Sequence, residues 1–526
     1  MRLVVILLFA AYFVIGLILV PDYGVSRDEW RQRRHLLVNY KHVNQVLFGR
    51  TPHGLEEYPT LEEYGQLYGV AIQFPLAVVE DLYDFAMSAR NTILIRHYYI
   101  FFICFLGYIC FYLMLRTLFR HDYLIPLLGT FMIALYPRFF ATQFTDIKNM
   151  VFAALNMVTL LCLVKAVETK RAIWQILFGC AAALATNSRP MAVIFIPLLL
   201  GYYLLSDLTA LAEKKASGGS GEGWKCLIKY VLVLVSYGLF WVIITPVAWQ
   251  HPVSTFVDTF TAFSKFDAWD GTMVFMGNRI KCDQMPWYYL LVWFGITIPI
   301  TYLLLFIAGH VFAVSQWLRS RHKWKDLLSA YRWPLCMMAL FWGSVLSVII
   351  LHSRIYVGWH HMYFVFVPFC VLACYGLAGL AALVSHRRVV YVAFALVLLY
   401  HVGWMVVNHP YEGVYFNVVG RRFGDQFDRD EWQISGYRAL KWVLSHDEGA
   451  FSVEGTQSVN FLTPEESARI IEEETPKYKI MCYRNVIGNT KTYDGYEEVF
   501  SRSVDGYKVY SVYQRIEEAA DDETQP

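Results

Sequence analysis

Three short clusters of charged residues stand out in an otherwise apolar chain, and each lies beside a long hydrophobic run. In GVSRDEWRQRRH (24–35) Asp28 and Glu29 form an acidic pair flanked by Arg27, Arg31, Arg33 and Arg34. A carboxylate held at a membrane surface can act as a general base, taking the proton of an acceptor hydroxyl or amine. The neighbouring arginines would keep it ionised and offer charge to a phosphate. The same spacing also suits a solvated amphipathic helix of mixed charge. The second cluster, YPRFFATQFTDIKN (136–149), joins Arg138, Asp146 and Lys148. Charges at that depth are costly unless they pair or bind a ligand, so the choice is between a binding site and an ion pair capping the next helix. The third, LHSRIYVGWHHMYF (351–364), holds Arg354, His360 and His361. Adjacent helical residues point to different faces, which argues against a two-histidine metal site. Arg354 with one histidine suits an anionic headgroup, and interfacial snorkelling accounts for the pattern equally well. Arg189, in NSRP (187–190), joins this set.

The elements that must position these residues are membrane helices. Of the 526 residues 57% are hydrophobic and only 17% charged, too little charge to cover a soluble protein of this length. Mean hydropathy is +0.39. The 16 Trp, 36 Tyr and 37 Phe fit helices anchored in two interfacial belts. Runs near spanning length are read at 3–20, 97–115, 123–136, 150–164, 172–186, 191–205, 227–245, 287–308, 333–351, 362–384 and 389–407, about eleven in all. The first run has only Met1 and Arg2 before it and no small-x-small cleavage site after it, so it reads as an uncleaved helix.

Alternate short loops carry Arg116 and Arg120; Lys165, Lys170 and Arg171; Lys214, Lys215 and Lys225; Arg319, Arg321, Lys323 and Lys325; and Arg387 and Arg388. That excess assigns them to the cytoplasm. The opposite side then holds a long first loop (21–96), the loops 137–149, 246–286 and 354–361, and everything after residue 408. All three charged clusters fall on that extracytoplasmic side.

The segment ASGGSGEG (216–223) reads as a flexible linker. From 408 to 516 the composition becomes soluble, with a helical stretch at 434–445 and strand-like runs at 450–454, 478–483 and 507–513, as in a small α/β domain. The acidic tail 517–526 reads as disordered. Most of the ten cysteines sit in or beside apolar runs as small core residues, while Cys282 and Cys482 share the outer side and are candidates for a disulfide. Net charge is +2 with no basic stripe, so nothing points to nucleic acid. There is no Walker A loop, GxGxxG or HExxH, and no GxSxG with a plausible triad, which leaves ATP-driven transport, redox chemistry and zinc proteolysis without support.

With the clusters, their order and their common side in place, the chain resembles the GT-C membrane glycosyltransferases. The likeness is to the branch of protein O-mannosyltransferases and the lipid A aminoarabinose transferase, in a bacterial-type form. It is carried by YGQLYG (64–69), RHYYIFF (96–102), PRFFATQFTDIKN (137–149), PWYYLLVWFGITIP (286–299) and NHPYEGVYFN (408–417). The resemblance implies an all-α polytopic module over residues 1–407 that moves a sugar from a polyprenyl-phosphate carrier to an acceptor. The acceptor is a protein, a lipid or a glycan, and the reaction takes place on the extracytoplasmic face of a membrane, a bacterial inner membrane for so compact a tail. It implies Asp28 as the base of an inverting displacement, with Glu29 orienting it, and Asp146 as an acceptor-positioning acid. Asp28 and Asp146 are also the pair that would hold a divalent cation. Arg138, Lys148, Arg189, Arg354, His360 and His361 are the candidates for the lipid phosphate, and no nucleotide cofactor is expected. The eukaryotic branch carries a large β-trefoil insert that this chain has no length for. A transporter of lipid-linked sugars would place its polar residues at mid-membrane. A non-catalytic scaffold would give the clusters no common purpose, and a glycan polymerase or ligase would use the arginine-rich first loop.

Overall fold

The computed structural model describes residues 2–65, 69–216, 223–264, 269–319 and 331–516. Most of the linker, the Gln66–Tyr68 part of YGQLYG and the acidic tail lie outside the described residues. Nine described helices are long and apolar enough to cross a bilayer: Arg2–Asp22, Ala89–Leu118, Asn149–Thr169, Pro190–Thr209, Leu227–Ile244, Ile300–Arg319, Arg332–Ile350, His360–Leu383 and Arg387–Asn408. The pair Leu124–Ala134 and Pro137–Thr145, bent by 65°, is a broken span or a re-entrant loop, and Ala172–Ser188 is a shorter apolar helix. These occupy the runs expected from the sequence. The chain is an integral, multi-pass, mostly helical membrane protein.

Two breaks matter for the site, and both are made by proline. Tyr136 is extended (φ −71°, ψ 118°) because the residue before a proline is steered out of the helical region, and Pro137 then opens a new helix in which every residue is buried. The expected span 287–308 is likewise two helices, Tyr289–Thr297 and Ile300–Arg319, separated by an extended Ile298 and Pro299. Carbonyls freed at that break are satisfied from the NHPYEGVYFN segment. Asn417 donates Nδ2 to Gly295 O and Ile298 O, each at 2.7 Å, and its amide to Ile296 O at 2.8 Å. An average over hydropathy runs straight across such a break, so the expectation of one span was wrong.

Asn149–Thr169 and His360–Leu383 form the centre, with 89% and 83% of their apolar windows buried inside the protein, whereas Arg2–Asp22 is only 22% buried. The outer helices expose Leu3, Ile6, Leu239, Ile243, Leu399 and Val406. A ring of apolar side chains around a buried helical centre is what lipid contact requires. Ile300–Arg319 packs on Phe366–Leu383 at backbone distance: a Cβ on Gly376 would lie 2.0 Å from Leu305 O, and one on Gly309 2.1 Å from Leu372 O. At the end that carries the basic loops, Glu168 joins Arg120 at 2.6 Å and Arg332 at 2.5 Å, bringing three of those loops together.

The C-terminal segment packs the helix Gly436–His446 on a four-stranded sheet. Val453–Glu454 runs parallel to Tyr478–Cys482, which pairs antiparallel with Tyr507–Arg515, itself hairpinned to Tyr496–Val504. Asp505 (φ 50°) and Gly506 (φ 93°) make the hairpin turn. The strand Tyr496–Val504 was not anticipated; its burial alternates weakly and its sequence is polar. A second unanticipated hairpin, Thr272–Phe275 with Asn278–Lys281, lies in the outer loop before Tyr289. Cys282 and Cys482 are both free and buried, the first giving its thiol to Trp269 O, so these two candidates do not form a disulfide.

Candidate active site

The acidic pair divides at the start of the helix Glu29–Phe48. Glu29 ties down the chain that enters the helix: its carboxylate accepts the Ser26 amide at 2.6 Å and meets His97 Nε2 at 2.8 Å, with both side chains buried. Asp28, at the N-cap position, makes no capping bond with its side chain. Its carboxylate instead lines a cavity of about 250 Å³. Arg31 and Gln32, one turn further along the helix, line the same cavity. Glu29 does not line it, and it touches Asp28 only through the chain.

DIKN supplies the opposite wall. Asp146 Oδ1 accepts the amides of Lys148 (3.0 Å) and Asn149 (2.8 Å), and Oδ2 accepts Asn149 Nδ2 (3.0 Å), so this acid starts the central helix Asn149–Thr169. Burial pushes its carboxyl up from the ordinary value, against the pull of the Asn149 and Lys148 donors. Asn149 Oδ1 in turn accepts from Arg189 Nη2, just beyond the helix Ala172–Ser188. Lys148, Asn149 and Arg189 all line the cavity, while Asp146 stands behind them. Burial, reinforced by Arg189, pushes the Lys148 ammonium down to about 7.

The third wall is the turn before the helix Phe366–Leu383. Val357 has φ 50°, an unfavourable conformation for a β-branched residue, and Gly358 follows at φ 80°. The helix begins with a tight turn, His360–Val365, containing a non-helical Met362. The two histidine rings consequently lie together, with centroids 3.9 Å apart, rather than on different faces as an α-helical reading required. Both line the cavity beside Tyr356, whose ring stacks on Trp269 at 4.1 Å. The roof comes from the C-terminal segment: Glu431, Trp432 and Arg484. Burial and Arg27 lower the Arg484 guanidinium from its ordinary value, while Asp428 and Asp28 act in the opposite sense.

Arg354 lines a second, more apolar compartment of about 290 Å³ with Met191, Phe260, Val348, Leu351 and Ile355. The two compartments share Lys148, Arg189, Tyr356 and His361. Arg138 is in neither. Its Nε donates to Tyr415 O at 2.9 Å, and its guanidinium lies over Trp293 and Phe416, which ties the bent segment to NHPYEGVYFN. Asp28 and Asp146, expected to share a metal ion, do not line the same cavity, and three donors already engage both Asp146 oxygens. Among the described residues no group of three or more His, Cys, Asp or Glu side chains could hold a metal ion. This pair does not fit a divalent cation.

The arrangement can bind an anion between a polar and an apolar chamber, with a carboxylate facing the polar one. Arg27, Arg31, Lys148, Arg189 and Arg484 outnumber Asp28 and Glu431 around the polar chamber. Sequence reasoning missed Trp269, Tyr356, Glu431, Trp432 and Arg484. Trp269, Glu431, Trp432 and Arg484 lie in segments soluble in character, where a charged or aromatic residue gives no signal of depth, and Tyr356 is one of many aromatics at a helix end.

No curated protein sequence matches the chain. Among solved structures it is similar to the oligosaccharyltransferase AglB of Archaeoglobus fulgidus in complex with an inhibitory peptide and a dolichol-phosphate, at 12% identity and a TM-score of 0.45, covering 84% of this chain and 58% of that one. The apo form of that enzyme gives 12% identity and 0.44, with 88% and 64% covered, so the chain spans about three-fifths of its length. ArnT of Cupriavidus metallidurans bound to undecaprenyl phosphate gives 12% identity and 0.43, with 96% and 97% covered. In agreement with the resemblance to GT-C membrane glycosyltransferases, residues 96–221, which carry the bent segment, DIKN and Arg189, match the family model of dolichyl-phosphate-mannose-protein mannosyltransferase.

Proposed function

We propose that this chain is an integral membrane glycosyltransferase that moves a sugar from a polyprenyl-phosphate carrier to an acceptor on the extracytoplasmic face, with inversion at the anomeric carbon. The observation that carries this reading is the pair of adjoining compartments whose linings share the basic residues Lys148 and Arg189. The carrier chain lies along the apolar compartment, and its phosphate sits between Lys148 and Arg189 with Arg354 nearby. The sugar then projects into the polar chamber towards Asp28. Asp28 takes the proton of the acceptor, whose oxygen or nitrogen attacks C1 from the side opposite the phosphate. The bond from C1 to the bridging oxygen breaks, and that oxygen leaves on the phosphate, where Lys148 and Arg189 stabilise the developing charge. Asp146 positions Lys148 and Arg189 through Asn149 rather than touching the substrate. The phosphate ester is itself the leaving group, so the step uses no nucleotide.

In this reading residues 1–407 are the catalytic module and 408–516 a soluble domain that roofs the site. The likeness of residues 96–221 to the mannosyltransferase family and the carriers named for the two neighbours point to the same donor class. The test is transfer by the purified protein in lipid, given radiolabelled polyprenyl-phosphate sugars and a membrane extract. Label is expected to move into the extract. Carrier that binds but keeps its sugar would favour transport or scaffolding instead.

A further inference from the structure

The run DRDEW (428–432) changes role within five residues. Asp428 accepts the amides of Asn485 (2.7 Å) and Val274 (3.0 Å). Arg429 donates to Asn489 Oδ1 (2.8 Å), Lys508 O (2.9 Å) and the Val486 and Gly488 carbonyls. Asp430 accepts the Ile434 and Ser435 amides, each at 3.2 Å, and the Ser435 hydroxyl. These three side chains pin the segment to the sheet and to the outer hairpin. Glu431 turns the other way, into the polar chamber, where its carboxylate meets His360 Nδ1. It also lies against Gly358, where an added Cβ would come within 3.3 Å of Glu431 Oε2. The Trp432 carbonyl accepts the Arg27 amide at 3.3 Å, which docks this segment on the stretch that carries Asp28.

Around Glu431 the wall is aromatic. Trp432 meets the His360 ring edge-on at 4.8 Å, and Trp269 stacks on Tyr356. A carboxylate repels a phosphate, so Glu431 does not belong to the anion-binding junction. What a carboxylate among aromatic rings binds well is a neutral polyol: the oxygens accept hydroxyl protons, and the rings cover the C–H faces. We propose that Glu431 is a specificity-determining residue that reads the hydroxyls of the donor sugar, with Trp432 and Trp269 flanking it. This rests on the glycosyl-transfer reading above and assigns the sugar subsite to the C-terminal segment.

The test compares binding of dolichyl phosphate with binding of dolichyl-phosphate mannose and dolichyl-phosphate glucose, using full-length wild type, Glu431→Gln and Glu431→Asp. Glu431→Gln is expected to weaken the better-held sugar-bearing carrier by roughly 10- to 100-fold, the worth of a charge-assisted hydrogen bond. It should leave dolichyl phosphate within about twofold. Glu431→Asp keeps the charge but is one methylene shorter, so an intermediate loss is expected, again confined to the sugar-bearing carrier. Equal losses on bare and sugar-bearing carriers would show that Glu431 acts only through the shape of the chamber, and no loss on either would show that it is idle; both overturn the inference. A wild type that holds none of the three carriers would overturn the glycosyl-transfer reading, and this inference with it.

Discussion

Asp28→Asn is expected to lower sugar transfer by about 10²- to 10⁴-fold, the range contributed by a positioned general base, while carrier binding changes little. The substitution keeps the shape and removes the proton acceptor. Asp28 makes no side-chain cap to its helix, and Glu29 holds the preceding Ser26 amide, so the protein should stay folded. The expectation is checked by transfer rate and carrier affinity measured on the same preparation. The control is Glu29→Gln, which disturbs the buried contact with His97 and is expected to reduce stability rather than act as a second base knockout. Equal transfer by wild type and Asp28→Asn would place the base elsewhere in the chamber.

Lys148 carries the second large effect. Lys148→Ala removes a buried ammonium from the junction of the two compartments and is expected to weaken polyprenyl-phosphate binding by about 30- to 5,000-fold, in line with the 2–5 kcal/mol typical of truncating a buried charge pair. The pH dependence is more specific. Burial holds the ammonium at about 7 in the empty site, so Lys148 is charged below that value and neutral above it. A bound phosphate favours the charged form and raises its pKa, so binding takes up a proton. Carrier affinity should therefore be highest below pH 7 and fall by up to about tenfold per pH unit above it. An arginine stays charged throughout, so Lys148→Arg should bind with a nearly flat pH profile. Isothermal titration of undecaprenyl phosphate from pH 6 to 9 reads both effects. A wild-type profile as flat as that of Lys148→Arg would remove Lys148 from the phosphate site.

The membrane architecture was legible because apolar runs and basic loops are averages over many residues, and such averages survive local error. The break at Pro137 was legible as the end of the run 123–136, although the loop expected at 137–149 holds a buried helix, Pro137–Thr145; the break at Pro299 was missed because hydropathy averages straight across it. Lys148 and Arg189 could be singled out because charge at the end of an apolar helix is costly without a partner or ligand. The same argument also selected Arg138, and there the partners are a carbonyl and two aromatic rings, which spacing alone cannot tell from a phosphate. Residue type and spacing did not separate Asp28 from Glu29; which of them is held away from the chamber depends on the Ser26 amide and on His97, sixty-eight residues away. The histidine pair was misread because an α-helix was assumed where a tight turn with Met362 brings the rings together. Glu431, Trp432 and Arg484 reach the cavity through the docking of the C-terminal segment, a long-range event with no local signature.

Transfer by this protein breaks the bond between the sugar and the bridging oxygen at C1. A polyprenyl-phosphate sugar donor carrying ¹⁸O at that bridging position, given to the reconstituted wild-type protein with acceptor extract, reports which bond breaks. Mass spectrometry is expected to recover the ¹⁸O in the released polyprenyl phosphate, while the sugar appears on the acceptor without it. Label retained on the transferred sugar would mean cleavage at phosphorus, and intact labelled donor recovered on the other side of the membrane would mean transport; either result would rule out displacement at C1.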